Sequence, residues 1–279
     1  MNKAEHFKSG FVAVVGRPNV GKSTMINALI GDKIAIVSDK AQTTRNRIIC
    51  VYTDEEKQIV FMDTPGVHKP KHKLGEFMVD AAIESLKETE AVLFVVAGNE
   101  KRGPGDNFII EQLKRVKVPV FLVVNKIDTL QKEQVLEAIV SYQDAYPFAG
   151  VIPISAKNKE NLSELLNVLG EHLPEGPQYF PEDMITDQPE RLIISDIVRE
   201  KILLSTRDEI PHAIAVDVDE MKTRDDGTTY IRATIYCERD SQKGIIIGNK
   251  GALLRKIGAE ARIDIQKLLA TKVYLDLWV

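Results

Sequence analysis

Short apolar runs rich in β-branched residues alternate with longer amphipathic stretches along the first part of the chain. The apolar runs are Phe11–Gly16, Gln58–Met62, Ala91–Ala97, Pro119–Asn125 and Val151–Ser155. The amphipathic stretches are Gly75–Lys87, Asp106–Lys117, Lys132–Tyr146 and Asn161–Leu173. Because apolar strands that alternate with helices are buried on both faces, this order predicts a mostly parallel sheet with helices on either side.

One further strand is predicted at the edge of this sheet. Arg47–Thr53 is followed by the acidic turn Asp54–Glu56, and together they predict an antiparallel hairpin with Gln58–Met62. The alternative, that the apolar runs are buried helices, is disfavoured because most of them are too short. The first part of the chain is therefore expected to be an α/β domain with a mostly parallel six-stranded sheet and helices on both faces.

The composition of the chain changes at residues 174–189, which contain four prolines. Prolines at this density break both helix and strand, so we expect a linker here. We place an α/β domain at residues 1–175, a proline-rich linker at 176–189 and a smaller domain at 190–279.

The smaller domain has a different predicted order of elements. Its segments are a helix at Glu190–Arg207, alternating strands at Ala213–Asp219 and Thr229–Glu238, a helical region that ends near Leu269, and a strand at Val273–Val279. Asp226-Gly227 is a turn pair typical of hairpins, and a glycine-bounded turn divides the helical region. The order helix, hairpin, two helices and strand predicts a small α+β unit.

Composition narrows the class of protein. The chain has 279 residues, 44% hydrophobic and 28% charged, with a net charge of −4. This fits about two domains and excludes a largely disordered chain. No apolar run reaches the ~18 residues of a membrane span, and we expect no secretory signal. Two cysteines, Cys50 and Cys237, cannot build a disulfide framework or a zinc site by themselves, and free thiols suit a reducing cytoplasm.

A phosphate loop follows the first predicted strand and opens the next helix. The run Gly16-Arg17-Pro18-Asn19-Val20-Gly21-Lys22-Ser23, followed by Thr24, matches G-x-x-x-x-G-K-S/T. Glycines let backbone N–H groups turn inward around phosphate oxygens, and the helix start adds the positive end of its dipole. Lys22 can reach the β- and γ-phosphates, and the Ser23 hydroxyl can bind Mg²⁺. A chance glycine-rich turn is the alternative, and the flanking strand and helix argue against it.

A metal-binding and phosphate-binding string ends the second apolar run. It reads Asp63-Thr64-Pro65-Gly66. The aspartate can hold the metal through water, and the glycine N–H can meet the γ-phosphate. A lone string of this kind could be a surface turn, but its distance after a phosphate loop favours the nucleotide role.

Two further strings predict the base. Asn125-Lys126-Ile127-Asp128 ends one apolar run, and Ser155-Ala156-Lys157 ends the next. The Asp128 carboxylate can accept both the N1–H and the N2 amino group of guanine, a donor pair that adenine lacks. Asn125 can bond the other base edge, the Lys126 stem can lie along the ring, and Ser155-Ala156-Lys157 can support the base through backbone N–H groups. All these strings end strands of one sheet, so we predict a guanine-nucleotide site at its carboxyl edge.

With these motifs, the first part of the chain resembles a GTPase of the translation-factor-related class, whose remaining motif corresponds to the switch segment Gln42-Thr43-Thr44-Arg45. The resemblance implies that a threonine here closes over Mg²⁺ and the γ-phosphate when GTP is bound. By position we favour Thr44, with Thr43 second. It implies GTP as substrate and Mg²⁺ as cofactor. Lys22, Thr44 and Gly66 are then expected at the reacting phosphate, and Ser23, Thr44 and Asp63 at the metal.

The residue after Gly66 departs from Ras-like GTPases. Those enzymes place a glutamine there to orient the attacking water, whereas this chain has Val67. Because valine has no side-chain hydrogen bond to offer, we expect slow intrinsic hydrolysis that a partner or a monovalent cation stimulates. Asn19 is the candidate K⁺ ligand, because related GTPases use an asparagine at this loop position in that way. The alternative is that Asn19 only shapes the loop.

The smaller domain carries a G-x-x-G turn between apolar helical segments. Residues 241–272 contain seven basic residues and two acidic ones. The turn lets the backbone approach a nucleic acid, and KH domains clamp about four nucleotides in this way. A plain helix–helix turn on a solvated basic helix is the alternative, but the element order is that of the type II KH fold. The residues predicted to bind single-stranded RNA are Ile247, Gly248, Asn249, Lys250, Gly251, Arg255 and Lys256.

A GTPase domain followed by a type II KH domain resembles the Era family of bacterial GTPases along essentially the whole chain. The resemblance implies binding near the 3′ end of 16S rRNA and to the 30S ribosomal subunit, in subunit assembly and rRNA processing. It also implies a cytoplasmic, monomeric protein with peripheral association at the inner face of the cell membrane. The family's short basic helix would follow Leu277-Trp278-Val279, so we expect this chain to be one tail short of the family pattern.

We therefore expect a GTP-driven RNA-binding switch, in which GTP orders the loops around Thr44 and Gly66 and hydrolysis releases them. Two alternatives stay open. In the first, the KH-like unit binds protein and no RNA, which makes the chain a GTP-dependent scaffold. In the second, GTP turnover is itself the purpose of the protein, although the sequence offers no second substrate pocket.

Overall fold

The computed structural model describes residues 6–35, 48–63, 86, 88–206 and 214–279 of the chain. These residues divide into two compact units, and each is described by itself. The first unit contains the described residues up to 31 together with 48–187. The second contains the described residues of 188–279 together with the short segment 32–35.

Among the described residues, the first unit contains one sheet of six strands in the order β2-β3-β1-β4-β5-β6. The strands are β1 (Lys8–Val15), β2 (Ile48–Thr53), β3 (Lys57–Asp63), β4 (Ala91–Ala97), β5 (Val120–Asn125) and β6 (Gly150–Pro153). All neighbouring pairs are parallel except β2 and β3, which pair antiparallel with Ile48 opposite Asp63. The predicted mostly parallel sheet with one antiparallel edge strand is confirmed.

Four described helices belong to the first unit: α1 (Lys22–Ile30), α2 (Pro104–Leu113), α3 (Lys132–Gln143) and α4 (Leu162–His172). The predicted bounds of α2, Asp106–Lys117, were displaced. The helix begins earlier because proline suits its first position and the Asp106 carboxylate accepts the Gly103 backbone N–H over 2.9 Å. The predicted helix at Gly75–Lys87 lies outside the described residues except for Leu86.

The central strands carry the core of the first unit. Every residue of β3, β4 and β5 is buried. Phe94 of β4 and Leu122 of β5 pack in one cluster with Ile110 and Leu113 of α2. Each such side chain stabilises the fold by about 1.5–3 kcal/mol relative to an exposed one. This packing fixes the position of the carboxyl end of each strand, and therefore the starting point of the loop that follows it.

The proline-rich segment bonds to β2 and β3 within the first unit. Gln58 of β3 is fully buried; its amide donates to the Phe180 carbonyl over 2.9 Å and accepts from the Tyr179 N–H over 2.8 Å. Further along, the Thr186 hydroxyl donates to the Ile49 carbonyl over 2.6 Å. Polar groups of β2 and β3 therefore hold this segment at both of these points. The predicted boundaries of the domains stay predictions.

The second unit has the predicted order of elements. These are α5 (Glu190–Ser205), β7 (Ile214–Thr223), β8 (Thr229–Cys237), α6 (Asp240–Ile247), a short 3-10 turn (Asn249–Gly251), α7 (Ala252–Leu269) and β9 (Val273–Trp278). The sheet order is β7-β8-β9, with β7 and β8 antiparallel and β8 and β9 parallel. Strand β7 extends beyond the predicted Asp219, because a bulge between Val218 and Glu220 shifts the alternation on which that boundary depended.

One face of the second sheet packs on the helices and the other carries polar and aromatic side chains. The packed face includes Ile231 and Ile235 of β8, which lie in one core cluster with Ile194 of α5 and Ile265 of α7. Alternate residues of β8 point the other way, and Tyr236 among them is 54% exposed. The outer face is thus available to ligands as far as the described residues are concerned.

Among the described residues, the thiols and acidic side chains form no cluster that suggests further chemistry. Cys50 is buried, Cys237 is half-buried, and both are free thiols. Burial raises the pKa of both, which makes them poor nucleophiles. Within the described ranges, no group of three or more His, Cys, Asp or Glu side chains could hold a metal ion. None of the described helices is long and apolar enough to cross a membrane.

Candidate functional site

The phosphate loop connects the end of β1 to the start of α1. Its backbone takes the left-handed conformation at Asn19 (φ 66°) and at Gly21 (φ 96°), the residue that caps α1. A Cβ at Gly21 would lie 2.3 Å from the Asn125 side-chain nitrogen. Gly21 therefore meets two demands at once, a positive φ and a close approach to the guanine motif. Residues Gly16, Arg17, Pro18, Val20 and Thr24 complete the loop around the helix start.

Lys22 lies inside this loop and is 7% exposed. Its ammonium donates to the carbonyls of Gly16 over 3.0 Å and Arg17 over 2.9 Å. Burial lowers the pKa of Lys22 to about 8, although the nearby Asp63 carboxylate acts in the opposite direction. The lysine is therefore placed to exchange two carbonyl contacts for phosphate oxygens, which favour its charged form.

Ser23 and Asp63 meet where α1 begins and β3 ends. The Ser23 hydroxyl donates to Asp63 Oδ2 over 3.1 Å, and Asp63 is fully buried. A hydroxyl and a carboxylate are the hard oxygen ligands that Mg²⁺ prefers, so the two residues fit this ion and would hold it, directly or through water. When bound, Mg²⁺ neutralises charge on the phosphate oxygens.

Several predicted site residues lie outside the described residues. They are Thr43, Thr44, Thr64, Pro65, Gly66 and Val67. Their roles in closing over the metal and the γ-phosphate stay predictions.

The Asn125 side chain forms hydrogen bonds with backbone groups of three loops. Its side-chain nitrogen donates to the Val20 carbonyl over 2.9 Å, and its side-chain oxygen accepts the N–H groups of Lys126 over 2.8 Å and Ala156 over 3.0 Å. The residue is 2% exposed. These bonds join the phosphate loop to the two loops predicted to bind the base. The amide nitrogen has a second N–H, so the contact of Asn125 with the base edge and the support of the base by Ser155-Ala156-Lys157 stay predictions.

Asp128 is the exposed carboxylate of the guanine motif. The Ser155 hydroxyl donates to Asp128 Oδ1 over 2.7 Å and accepts the Asn158 N–H over 3.1 Å. Ser155 is fully buried, so it fixes the direction in which the carboxylate points. Lys126 takes the left-handed conformation (φ 68°) before Asp128, and Lys157 is exposed beyond Ser155. The arrangement leaves a fixed acceptor for the paired donors of guanine.

Asp106 and Glu100 also belong to this site, although the sequence motifs did not predict them. Arg17 Nε donates to Asp106 Oδ1 over 2.8 Å, and its Nη2 donates to Glu100 Oε2 over 2.9 Å. The other Glu100 oxygen lies 3.9 Å from Lys126 Nζ. Burial by itself lowers the pKa of Arg17, but the two carboxylates outweigh it and raise that pKa. These side chains link the phosphate loop to the guanine motif, and no motif in the sequence marks them.

The G-x-x-G turn of the second unit joins α6 to α7. Its backbone has a positive φ at Gly248 (71°) and is left-handed at Lys250 (φ 49°) and Gly251 (φ 77°). Arg255 closes the turn, because its guanidinium donates to the carbonyls of Lys250 over 2.8 Å and Gly251 over 3.3 Å. Asn249, Lys250 and Lys256 are exposed, while Ile247 is half-buried. Part of the Arg255 guanidinium is thus used to shape the turn.

A groove of about 380 Å³ lies between α7 and β9. It is lined by Leu254, Arg255, Gly258, Ala259, Arg262, Tyr274, Leu275 and Leu277. Arg255 is among the residues predicted to bind RNA, and Arg262 belongs to the basic segment 241–272, whereas Gly258 and Tyr274 were not predicted. The alternation of β9 could have placed Tyr274 on the opposite face from the core residue Val273, but only the tertiary structure places β9 beside α7.

The loops at the carboxyl edge of the first sheet define a P-loop GTPase domain, and the G-x-x-G turn of the second unit defines a KH domain. Family models agree: one described as a 50S ribosome-binding GTPase matches residues 11–126, and one described as a KH domain matches residues 209–279.

Two solved structures of Era match nearly the whole chain. An Era variant from Aquifex aeolicus, bound to GDP·AlF4⁻, is 43% identical over 98% of this chain and 93% of that chain, with a TM-score of 0.91. Era in complex with MgGDPNP and nucleotides 1506–1542 of 16S ribosomal RNA is also 43% identical over the same shares, with a TM-score of 0.92. The chain belongs to the Era family: it is a GTPase, with GTP and Mg²⁺ at its active site and an RNA-binding KH domain.

Proposed function

We propose that this chain is a GTP-controlled switch that binds the 3′ segment of 16S rRNA during 30S assembly and rRNA processing. One observation carries the proposal: a guanine-nucleotide site and a KH groove are built in the same chain. The complex of a related Era with nucleotides 1506–1542 supports the choice of RNA. The proposal includes a cytoplasmic, monomeric protein that associates with the 30S subunit and peripherally with the inner face of the membrane.

The proposal assigns roles to the site residues. The phosphate loop with Lys22 holds the phosphates, Ser23, Thr44 and Asp63 hold Mg²⁺, and Asp128 selects guanine beside the Lys126 stem. The residues Ser155, Ala156 and Lys157 shape the base pocket. RNA is held by Ile247, Gly248, Asn249, Lys250, Gly251, Arg255 and Lys256, together with the groove between α7 and β9.

The RNA-binding role is tested at the G-x-x-G turn. Changing Asn249→Asp and Lys250→Asp together adds negative charge where an RNA backbone would approach, so RNA affinity is expected to fall at least tenfold. The matched control is Asn158→Asp with Lys159→Asp, because it changes the same residue pair and Lys159 has a similar φ of 58°. Undiminished RNA binding by the first variant would show that the G-x-x-G turn is not the RNA clamp.

Coupling between nucleotide and RNA is a separate part of the proposal. GTP is expected to order the loops around Thr44 and Gly66, and hydrolysis is expected to release them. The measurement is the affinity of the full chain for the 3′ segment of 16S rRNA, with GDP and with a non-hydrolysable GTP analogue. Identical affinities would show that the chain binds RNA without a GTP-dependent switch.

Slow hydrolysis and its dependence on K⁺ complete the proposal. Val67 has no side-chain hydrogen bond to orient water, and Asn19 lies exposed in the loop with its backbone left-handed at φ 66°. GTP turnover is therefore expected to be slow and to be faster in K⁺ than in Na⁺ at equal ionic strength. Equal rates in the two salts would remove the cation role of Asn19.

A further inference from the structure

The outer face of the KH sheet carries an aromatic and cationic cluster beside the groove. The rings of Tyr230 in β8 and Tyr274 in β9 are stacked, with centroids 5.9 Å apart and planes inclined by 17°. The guanidinium of Arg224 lies over both rings, 4.8 Å from one centroid and 4.9 Å from the other. Arg224, Tyr230 and Tyr274 are named here the aromatic ledge.

The register of the sheet builds this ledge. Tyr230 lies opposite Tyr274 in the parallel pair and opposite Lys222 in the antiparallel pair. Tyr230 is 7% exposed and Tyr274 is 53% exposed. Tyr230 therefore supports the ledge from beneath, and Tyr274 presents its ring to solvent at the edge strand of the described sheet.

Arg224 is the cation of the aromatic ledge that can bind an anionic ligand. Neighbouring cations already have carboxylate partners, since Lys222 pairs with Glu220 at 2.8 Å and Arg232 with Asp276 at 3.7 Å. Arg224 has no ion pair this short in the part of the chain that the structure describes, although its charge helps to lower the pKa of the nearby Asp226. Its planar fork of donors suits a phosphate, while its cation–π contact holds it over the rings.

The ledge is continuous with the groove through Tyr274, which lines both. Strand β9 returns along α7 after a short turn, and Leu277 of β9 lies 3.4 Å from where a Cβ of Gly258 would be. Tyr274 therefore lies at the end of the groove away from the G-x-x-G turn. An RNA strand that leaves the groove at this end meets an exposed ring with an arginine beside it.

We propose that the aromatic ledge is a second RNA-contact surface, on which one unpaired nucleobase stacks against Tyr274 while Arg224 binds a phosphate. The nucleotide lies directly beyond the roughly four that a KH groove holds. The inference rests on the proposed RNA-binding function. Because every base has a π-face, this contact adds affinity with little sequence preference, in contrast to the groove.

The test compares two RNAs on the full chain. The probes are a four-nucleotide single strand from the 3′ end of 16S rRNA and the same strand extended by three nucleotides at each end. The variants are Tyr274→Ala, Tyr274→Phe and Arg224→Ala. The matched control is Tyr236→Ala, because Tyr236 lies on the same sheet face, is 54% exposed, and makes no ring–ring or cation–ring contact among the described residues.

Removing the Tyr274 ring is expected to weaken binding of the extended RNA roughly tenfold, while the short RNA changes less than about twofold. Tyr274→Phe and Tyr236→Ala are expected to bind both RNAs as the parent chain does. Arg224→Ala is expected to lower the slope of log affinity against log salt by about one for the extended RNA only.

Two results would overturn the ledge. One is unchanged affinity of Tyr274→Ala and Arg224→Ala for the extended RNA. The other is an equal loss for both RNAs, which would make Tyr274 a wall of the groove only. Failure of the parent chain to bind either RNA would instead reject the proposed function. If the Tyr274→Ala variant unfolds, the proposal is still tested by the slope of log affinity against log salt for Arg224→Ala.

Discussion

Arg17 of the phosphate loop donates a hydrogen bond from Nε to the fully buried carboxylate of Asp106, over 2.8 Å. The aliphatic part of the Arg17 side chain packs against Gly105 in the first turn of α2. The contact is so close that a Cβ at Gly105 would lie 2.7 Å from Arg17 Cδ. The same carboxylate caps α2 by accepting the Gly103 N–H. A helix without any nucleotide motif thus positions a residue of the phosphate loop.

Replacing Asp106 by alanine is expected to loosen both the helix start and the loop. The change leaves the Gly103 N–H and Arg17 without their buried acceptor, which costs about 1–3 kcal/mol in the free energy of unfolding. GDP affinity is expected to fall about 3- to 10-fold as the loop loses preorganisation. The control is Glu111→Ala, which removes an exposed carboxylate from the same helix. Urea unfolding and GDP titration measure both effects, and equal behaviour of the two variants would contradict the positioning role.

Gly21→Ala is expected to damage the nucleotide site far more than Gly31→Ala. Both glycines have a left-handed backbone, with φ 96° and 92°, so alanine costs about 1–2 kcal/mol at either position. At Gly21 the new Cβ also meets the Asn125 amide at 2.3 Å, whereas at Gly31 nothing lies within 4 Å. GDP affinity is expected to fall more than tenfold for Gly21→Ala only. Similar GDP affinities of the two variants would show that the Asn125 contact is unimportant.

The affinity for GDP is expected to fall as the pH rises above about 8. Burial lowers the pKa of Lys22 to about 8. Bound phosphates favour the charged ammonium and raise this pKa, so binding takes up a proton. Affinity is therefore greatest below pH 8 and decreases above it. Calorimetry from pH 7 to 9.5 in two buffers of different ionisation enthalpy measures the uptake. In the Lys22→Arg variant, proton uptake on GDP binding should vanish because arginine stays charged. If the variant still takes up a proton, another group is responsible.

Asp128→Asn is expected to change the base preference from guanine to xanthine. The carboxylate accepts two donors of guanine, whereas xanthine presents a carbonyl where guanine has its amino group. An amide can donate to that carbonyl, and it loses the charge-assisted acceptance of N1–H. GDP affinity is expected to fall at least 100-fold while XDP affinity rises. Competition with the two nucleotides measures the change, and the exposed Asp144→Asn serves as control. Undiminished preference for GDP would exclude Asp128 as the base selector.

Strand ends and motif spacing made the first unit predictable. The apolar runs at β3, β4 and β5 are short and β-branched, and a parallel sheet brings their carboxyl ends to one edge. The motifs therefore predict that Lys22, Asp63 and Asp128 lie in one site. It placed two boundaries less well, at α2 and at β7, because a proline start and a β-bulge depend on neighbours that periodicity does not reveal.

Side-chain partners were harder to predict than strands. The Asn125 side chain was predicted to bond the base edge. In the fold its nitrogen donates to the Val20 carbonyl and its oxygen accepts the Ala156 N–H. These partners lie far from Asn125 in the sequence, so no local pattern predicts them, and the contact of Asn125 with the base stays a prediction.

The sequence by itself determined the candidate chemistry of both units: a phosphate loop, a carboxylate predicted to select guanine and a G-x-x-G turn. Each is encoded by contiguous residues whose backbone conformation depends on local sequence. Only the tertiary structure decided which distant residues support them. Asp106 reaches Arg17, and Tyr230 stacks on Tyr274, because strand order and register bring them together. Alternation along a strand gives the face of a side chain but not its neighbour on the next strand. The net charge of −4 is a sum over the whole chain, so it does not indicate that an arginine lies beside the exposed Tyr274.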